Sequence, residues 1–407
     1  MKGLSLHLPF TSVFAILLAV GTIHCVSPKV YMCETGHLVR GEKTASTVTA
    51  QLDTEDMELP SDAELVKETV QTKVESANAE LPFWTDHYTD LFYESGSGIY
   101  NYCPSVMING SMINTFYCSN VRDYTVSDHI CYRTSIQSET GYFYSEKFNV
   151  LSPTDGAWDS VHVCDPSVVA GKFHYNGVTY KYLMAYLGCS QTDNQNNKIG
   201  LAVSNELNSG WVKCDNINPF INFTYDTSHS DTFQWGVGQP SIINMDENGQ
   251  ILILYTRGTY NLTCEIAELY DLSELNSPVK IGETVVNNVP DDFISNADFA
   301  ISGNTIYMTC DNHPFHAGTL SNMADCSSVY AADIDVNDVI GSLSKCAWSR
   351  VYSVDASVSG HMRNHNTGLF RDEYGRLSGR SVLYTAADDL GSFSDSLWTY
   401  RLKRADF

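Results

Sequence analysis

Three segments of the chain share one order of residues: a polar or sulfur side chain, then proline, serine and two apolar residues. They read Cys103-Pro104-Ser105-Val106-Met107, Asp165-Pro166-Ser167-Val168-Val169 and Gln239-Pro240-Ser241-Ile242-Ile243. After a turn, each leads into a run rich in β-branched and aromatic residues, at 115–118, 180–187 and 251–256. A third run follows at 130–135, 199–204 and 263–269. Short runs of this kind bounded by turn residues are strand signals. Two looser copies come next. Asp298-Phe299-Ala300-Ile301 leads to 305–309 and 329–334, and Asn366-Thr367-Gly368-Leu369-Phe370 leads to 381–385 and 397–402. The copies start 62, 74, 59 and 68 residues apart. Five units of three or four antiparallel strands predict an all-β chain folded as a five-bladed β-propeller. Radial repetition shields the sheet edges that one long meander would expose. A strand within 83–93, around Leu91-Phe92-Tyr93, is expected to complete the fifth unit and close the ring.

The N-terminal pattern is different. Lys2 precedes an apolar stretch from Leu4 to Ile23, the form of a secretory signal, so residues 1–27 are expected to direct export; an uncleaved membrane anchor is the alternative. No later stretch has the roughly 20 apolar residues that a bilayer span needs. Between Glu34 and Leu81 there is no aromatic residue, and acids outnumber bases by 11 to 4. Such a segment buries too little apolar surface to offset its ordering entropy. Residues 28–82 are therefore expected to be an acidic linker. Within it, Ser61-x-x-Glu64 and the spacing of Ala63, Val66, Val70, Val74, Ala77 and Leu81 predict one short amphipathic helix. The propeller is assigned to 83–407.

Composition narrows the partners. In 407 residues, 48 Asp+Glu against 24 Lys+Arg give a formal charge of −24, which argues against binding a phosphate backbone. Twelve cysteines fit an oxidising compartment and suggest disulfides. No CxxC pair and no Cys/His cluster at zinc spacing stands out. Cys118, Cys189 and Cys310 recur at the ends of second strands, either as paired sulfur or as small buried apolar residues. Sequons stand at Asn109, Asn222 and Asn261.

The period also says where chemistry can sit. The first strand of each blade lines the central channel, so residues at its start share an axial pocket. In order these are Cys103, Asp165, Gln239, Asp298 and Asn366, with His365 beside the last. A single polar residue there is often only a turn former; several converging on one axis point to a site. Trp235, in a turn with Gly236 and Gly238, is a candidate aromatic platform beside an axial strand.

Asp165-Pro166-Ser167-Val168-Val169, the tyrosine-rich 180–186 run, and Ile199-Gly200-Leu201-Ala202-Val203-Ser204-Asn205 running to Gly210-Trp211 resemble one blade of glycoside hydrolase family 43 and its relatives. His365-Asn366-Thr367-Gly368-Leu369-Phe370-x-Asp372-x-x-Gly375 is similar to another blade start of that family, and Asn296-Ala297-Asp298-Phe299 to a third. The resemblance implies an inverting glycosidase of arabinoside- or xyloside-type glycans, with carbohydrate as partner and no required cofactor. By it, Asp165 is the general base and Asp298 the second carboxylate. Gln239, Trp235, Asn366 and Cys103 contact substrate, and His365 holds an axial water or cation, with a structural calcium on the axis. The family usually carries its base aspartate where Cys103 stands, and its glutamate acid has no counterpart among the axial positions. Glu265 falls in a predicted third strand away from the axis, leaving Asp155, Asp159, Asp231, Asp291 and Asp292 as loop carboxylates that could supply the acid. The alternative function is a non-catalytic carbohydrate-binding or adhesion propeller.

Overall fold

The computed structural model describes residues 31–32, 38–39, 98–138, 141–287, 295–312 and 324–407. The expected signal segment, the helix around 61–81 and the closing strand near 91–93 lie outside them. The chain divides into compact units Met1–Glu80 and Leu81–Phe407. In the first, Tyr31–Met32 pairs antiparallel with Leu38–Val39. Among the described residues no helix is long and apolar enough to cross a membrane.

The second unit is almost entirely strand. Five antiparallel meanders begin with the inner strands Asn101–Asn109, His162–Tyr175, Gly236–Asn244, Ser295–Ser302 and Arg363–Arg371. Each inner strand pairs with a second strand, and the second with a third; the meanders of the second, third and fourth inner strands are separate four-stranded sheets. The first and fifth form one eight-stranded sheet, because their inner strands pair in parallel through Phe370↔Val106 and Arg371↔Met107. The backbones there approach so closely that a Cβ on Gly368 would lie 2.2 Å from the Pro104 carbonyl oxygen. This explains glycine where the other inner strands carry serine or aspartate.

Apolar faces of successive meanders supply the core. Phe116 and Tyr132 pack with Val168 and Met184; Leu183 and Leu201 with Ile242 and Ile253. Leu252 and Leu254 meet Phe299 and Met308, Ala300 and Val329 meet Leu369 and Val382, and Val106 and Ile113 meet Phe370 and Leu383. Each meander thus buries one face on the next, and the last returns to the first. The ten cysteines among the described residues, seven of them buried, form no disulfide with one another, so the expected disulfides are not formed among them. Cys131 and Cys310 sit inside these apolar clusters, where a thiol packs as a small hydrophobe.

The repeated proline marks a β-bulge. Pairing between inner and second strand shifts register between Tyr102 and Ser105, Cys164 and Ser167, Gly238 and Ser241, Ser295 and Asp298, and His365 and Gly368. Proline has no N–H to give the ladder, so Pro104, Pro166 and Pro240 fit at this interruption. The side chain that ends the second, third and fourth bulges then reaches across to the next inner strand. Ser167 Oγ accepts from Ile242 N–H at 3.0 Å, Ser241 Oγ from Phe299 N–H at 3.0 Å, and Asp298 Oδ2 from Leu369 N–H at 2.8 Å.

At the centre of this layer lies the guanidinium of Arg371, 1% exposed. It donates to Ser105 Oγ and Ser167 Oγ at 3.1 Å, to Ser241 Oγ at 3.1 Å, and to the carbonyls of Ile242 and Phe299. Asp298 Oδ1 stands 3.2 Å from it. One side chain from the fifth inner strand therefore touches the other four. Removing the cation from a buried pair leaves the carboxylate uncompensated, at a cost of about 3–5 kcal/mol. Arg371→Met should lower unfolding free energy by about that amount in a urea titration. Arg371→Lys should restore little of it, because an ammonium lacks the planar fork.

Candidate functional site

The residue that opens each bulge has left-handed backbone: Cys103 (φ 51), Asp165 (φ 49), Gln239 (φ 52), Asn296 (φ 55) and Asn366 (φ 47). For residues other than glycine this conformation costs about 1–2 kcal/mol each, with Asn and Asp tolerating it best. Five such residues at one level form the rim of the inner strands. The fourth member corrects the sequence reading: Asn296, not Asp298, occupies the position equivalent to Asp165. Asp298 stands two residues further on, in the layer of Ser105, Ser167 and Ser241, engaged by Arg371, Ser241 and Leu369. The fourth strand has no proline at its bulge, and its only acid drew the alignment two places off. Matching polar–small–polar triplets (Asn296-Ala297-Asp298 with Gln239-Pro240-Ser241) would have found the register.

The rim is tied into a belt. The Gln239 backbone N–H donates to the Asp165 carboxylate. Gln239 Nε2 donates to Asn296 Oδ1, and its Oε1 accepts from Asn296 N–H at 2.6 Å. Asn296 Nδ2 donates to Asp311, which also accepts from Ser327 Oγ and from Asn366 N–H, both at 2.9 Å. Asp311 lies next to last in the second strand of the fourth meander and so bridges to the fifth. His365 Nδ1 meets Asn366 Oδ1, and its ring lies edge-on to Tyr400 at 4.7 Å. Cys103, Gln239 and Asn296 are half-buried; Asp165, Asp311, His365 and Asn366 are buried. Solvent therefore meets thiol and amides first, with the carboxyl groups behind them.

Burial dominates the electrostatics. It raises Asp165 to about 6 against the hydrogen bonds from Cys103 and Cys164 that favour its charge. It raises Asp311 to about 7 despite its three donors, and it holds His365 neutral by pulling it to about 4. Glu265, which the sequence reading set aside, is 1% exposed and raised to about 8 by burial. It lies on a third strand, as expected, but connects to the rim: Thr256 Oγ1 is 2.6 Å from Glu265 Oε1 and 2.9 Å from Gln239 Oε1. A hydroxyl has one proton. A neutral Glu265 satisfies both contacts by donating to Thr256, which then donates to Gln239.

Of the loop carboxylates, Asp159 is committed to Lys213 at 2.6 Å, Asp155 and Asp231 are exposed, and Asp291 and Asp292 lie outside the described residues. Trp235 is half-buried against the cluster of Cys118, Cys164, Leu187 and Cys189, on which Cys103 also packs. Calcium, which takes six to eight oxygen ligands, does not fit His365. The group supplies one nitrogen, and neighbouring Asp311 already accepts three hydrogen bonds.

No protein-family model and no curated protein matches the sequence. Solved structures do match in fold. The BT0996 complex with RGII aligns with 83% of this chain and 96% of its own at a TM-score of 0.52 and 14% identity. The α-L-arabinofuranosidase of Lactobacillus brevis aligns with 77% of this chain and 93% of its own at a TM-score of 0.50 and 9% identity. At these identities the likeness is one of fold.

Glu265 carries a linked expectation. Its proton is kept on folding up to about pH 8 but lost from the unfolded chain near its ordinary value of 4.5. In that window the native state holds the extra proton, so this group makes stability fall with rising pH by about 1.4 kcal/mol per unit. Glu265→Gln should flatten that part of the stability–pH curve between pH 5 and 8 and leave a more stable protein at pH 8.

Proposed function

We propose that the chain is an exported five-bladed β-propeller glycoside hydrolase that opens a pentose-containing glycan by inversion at the rim of its inner strands. The supporting observation is a pair of buried carboxyl groups, Asp165 and Asp311, joined through Gln239 and Asn296. Fold likeness to structures that include an arabinofuranosidase agrees with this reading. Export rests on the basic start and apolar run before residue 27.

Inverting hydrolysis needs a base for water and an acid for the leaving oxygen on opposite faces of the sugar. Asp165, the residue carried by the family-like blade, takes the proton of the attacking water. Asp311, held near 7, stays largely protonated in mildly acidic solution and gives its proton to the departing glycosidic oxygen. Inversion forms the new carbon–oxygen bond as the old one breaks, so no covalent intermediate arises. Gln239, Asn296 and Asn366 present amides for sugar hydroxyls, and Trp235 presents ring surface. Asp298, locked to Arg371, takes no part in proton transfer. The sugar chemistry invokes no cofactor.

The half-buried rim positions themselves, Cys103, Gln239 and Asn296, carry no carboxylate. That favours a second reading, a propeller that binds glycans without cleaving them. Aryl α-L-arabinofuranosides, aryl β-xylosides, arabinan and xylan, offered to the secreted protein, separate the two. The hydrolase reading expects sugar release that falls by about 10²–10⁴-fold in Asp311→Asn and to the same order in Asp165→Asn, with glycan binding kept. It also expects a rate that declines above about pH 7 as Asp311 ionises. Glycan retention without turnover by any of the three proteins would establish the second reading, and full activity in Asp311→Asn would remove it as the acid.

A further inference from the structure

Beside Asp165 lie thiols that the proton transfers of the sugar chemistry do not use. Cys103 Sγ, Cys118 Sγ and a carboxylate oxygen of Asp165 lie within 4.8 Å of one another. They come from three strands: the first inner strand, its partner, and the second inner strand. Cys164 adjoins them, with its Sγ 3.5 Å from Asp165 Oδ1. The Asp165 backbone N–H donates to Cys118 Sγ at 3.0 Å, and the Cys103 N–H to Thr385 Oγ1 at 3.2 Å. The left-handed backbone at Cys103 and Asp165 holds both at the level of the rim. Cys118, Cys164 and Asp165 are buried, and Cys103 is half-buried, leaving one approach.

We propose that Cys103, Cys118 and Asp165 bind one thiophilic cation of the Zn²⁺ or Cu⁺ class, with Cys164 as the adjoining fourth donor. The donor set decides the class. Sulfur ligands select Zn²⁺ and Cu⁺, whereas Ca²⁺ and Mg²⁺ seek oxygen. Zinc binds sulfur at about 2.3 Å and oxygen at about 2.0–2.2 Å, which asks for donor atoms about 3.5–3.8 Å apart. Small side-chain rotations would close the shell. Around the cluster, Leu187, Cys189 and Trp235 make apolar walls. Thiols are weak donors for a carboxylate in such surroundings, and a cation offsets its charge directly. Binding displaces the thiol protons to solvent and involves no change of oxidation state. With Cys164 as fourth donor the shell is closed, the form of a structural rather than a catalytic site.

This inference stands without any glycosidase activity. On the hydrolase reading the same cation also occupies the base carboxylate, so turnover should fall as metal is added.

The test is a titration of the full-length protein, metal-free and reduced, with Co²⁺ and then with competing Zn²⁺. One Co²⁺ per chain with thiolate-to-cobalt charge-transfer absorption, displaced by one Zn²⁺, is expected. Cys103→Ser, at a half-buried position, should lose affinity by at least about 100-fold, since even outer partners of a site are worth 10–100-fold. Cys264→Ser, a half-buried thiol on a distant third strand, should bind as the parent does. Circular dichroism of each variant confirms that folding is kept. Absence of the charge-transfer band in the reduced parent, an unchanged band in Cys103→Ser, or a Cys103–Cys118 disulfide in the protein as isolated under native conditions would each overturn the proposal.

Discussion

The Arg371 guanidinium is the constraint on which the other parts depend. Inner strands splayed around an axis cannot complete a continuous backbone ladder, so polar groups near the axis need other partners. Here bulge-ending side chains serve as those partners, and Arg371 gathers them: three serine hydroxyls, two carbonyls and the Asp298 carboxylate. The cation sets the spacing of all five strands at one level. The rim residues sit two positions before this layer, so their placement is inherited from it. A carboxylate at the rim belongs to the candidate site, whereas one two residues deeper becomes part of the frame. That difference separates Asp165 from Asp298.

Above the frame, the site works against the cost of burial. Asp165, Asp311 and Glu265 are carboxyl groups withdrawn from water, and each retains its proton to higher pH than an exposed acid would. The charge of −24 carried by the chain is therefore not what defines the rim. The groups that matter there are the acids that escape ionisation. Glu265 shows the use of such a group away from the axis, since its neutral form fixes the proton on Thr256 and so the direction of the Gln239 amide. Amide orientation then passes through Asn296 to Asp311.

Much of this architecture can be read along the chain, because the bulge leaves a local mark. Proline after the left-handed residue and serine after proline are visible at 104–105, 166–167 and 240–241, and they align three meanders without any tertiary information. Where the fourth strand replaces Pro-Ser by Ala297-Asp298, the mark weakens and the register slips by two. Groups that depend on cross-strand neighbours leave less trace. Asp311 is the next-to-last residue of a second strand, and nothing in its flanking residues announces the Asn366 N–H it accepts. Cys118 and Asp165 are 47 residues apart and meet only because a strand pair lies beside the next inner strand. Cysteine spacing along the sequence, the usual sign of a metal site, is blind to such convergence. Among the described residues the expected disulfides do not form, for a related reason: composition counts thiols but does not orient them.

The parallel joint between the first and fifth inner strands also has a kinetic side. The Arg371–Ser105 contact joins residues 266 positions apart, and the meanders between them must already be in place for it to form. Contacts of such long range are slow to find, since chain entropy is lost before they repay it. During synthesis the first four meanders leave the ribosome with their axial hydroxyls and the Asp298 carboxylate still lacking the guanidinium that joins them. The incomplete ring, with the inner edge of its first sheet unpaired, is the state most open to wrong association. Arrival of the fifth meander ends that exposure and assembles the rim in the same step.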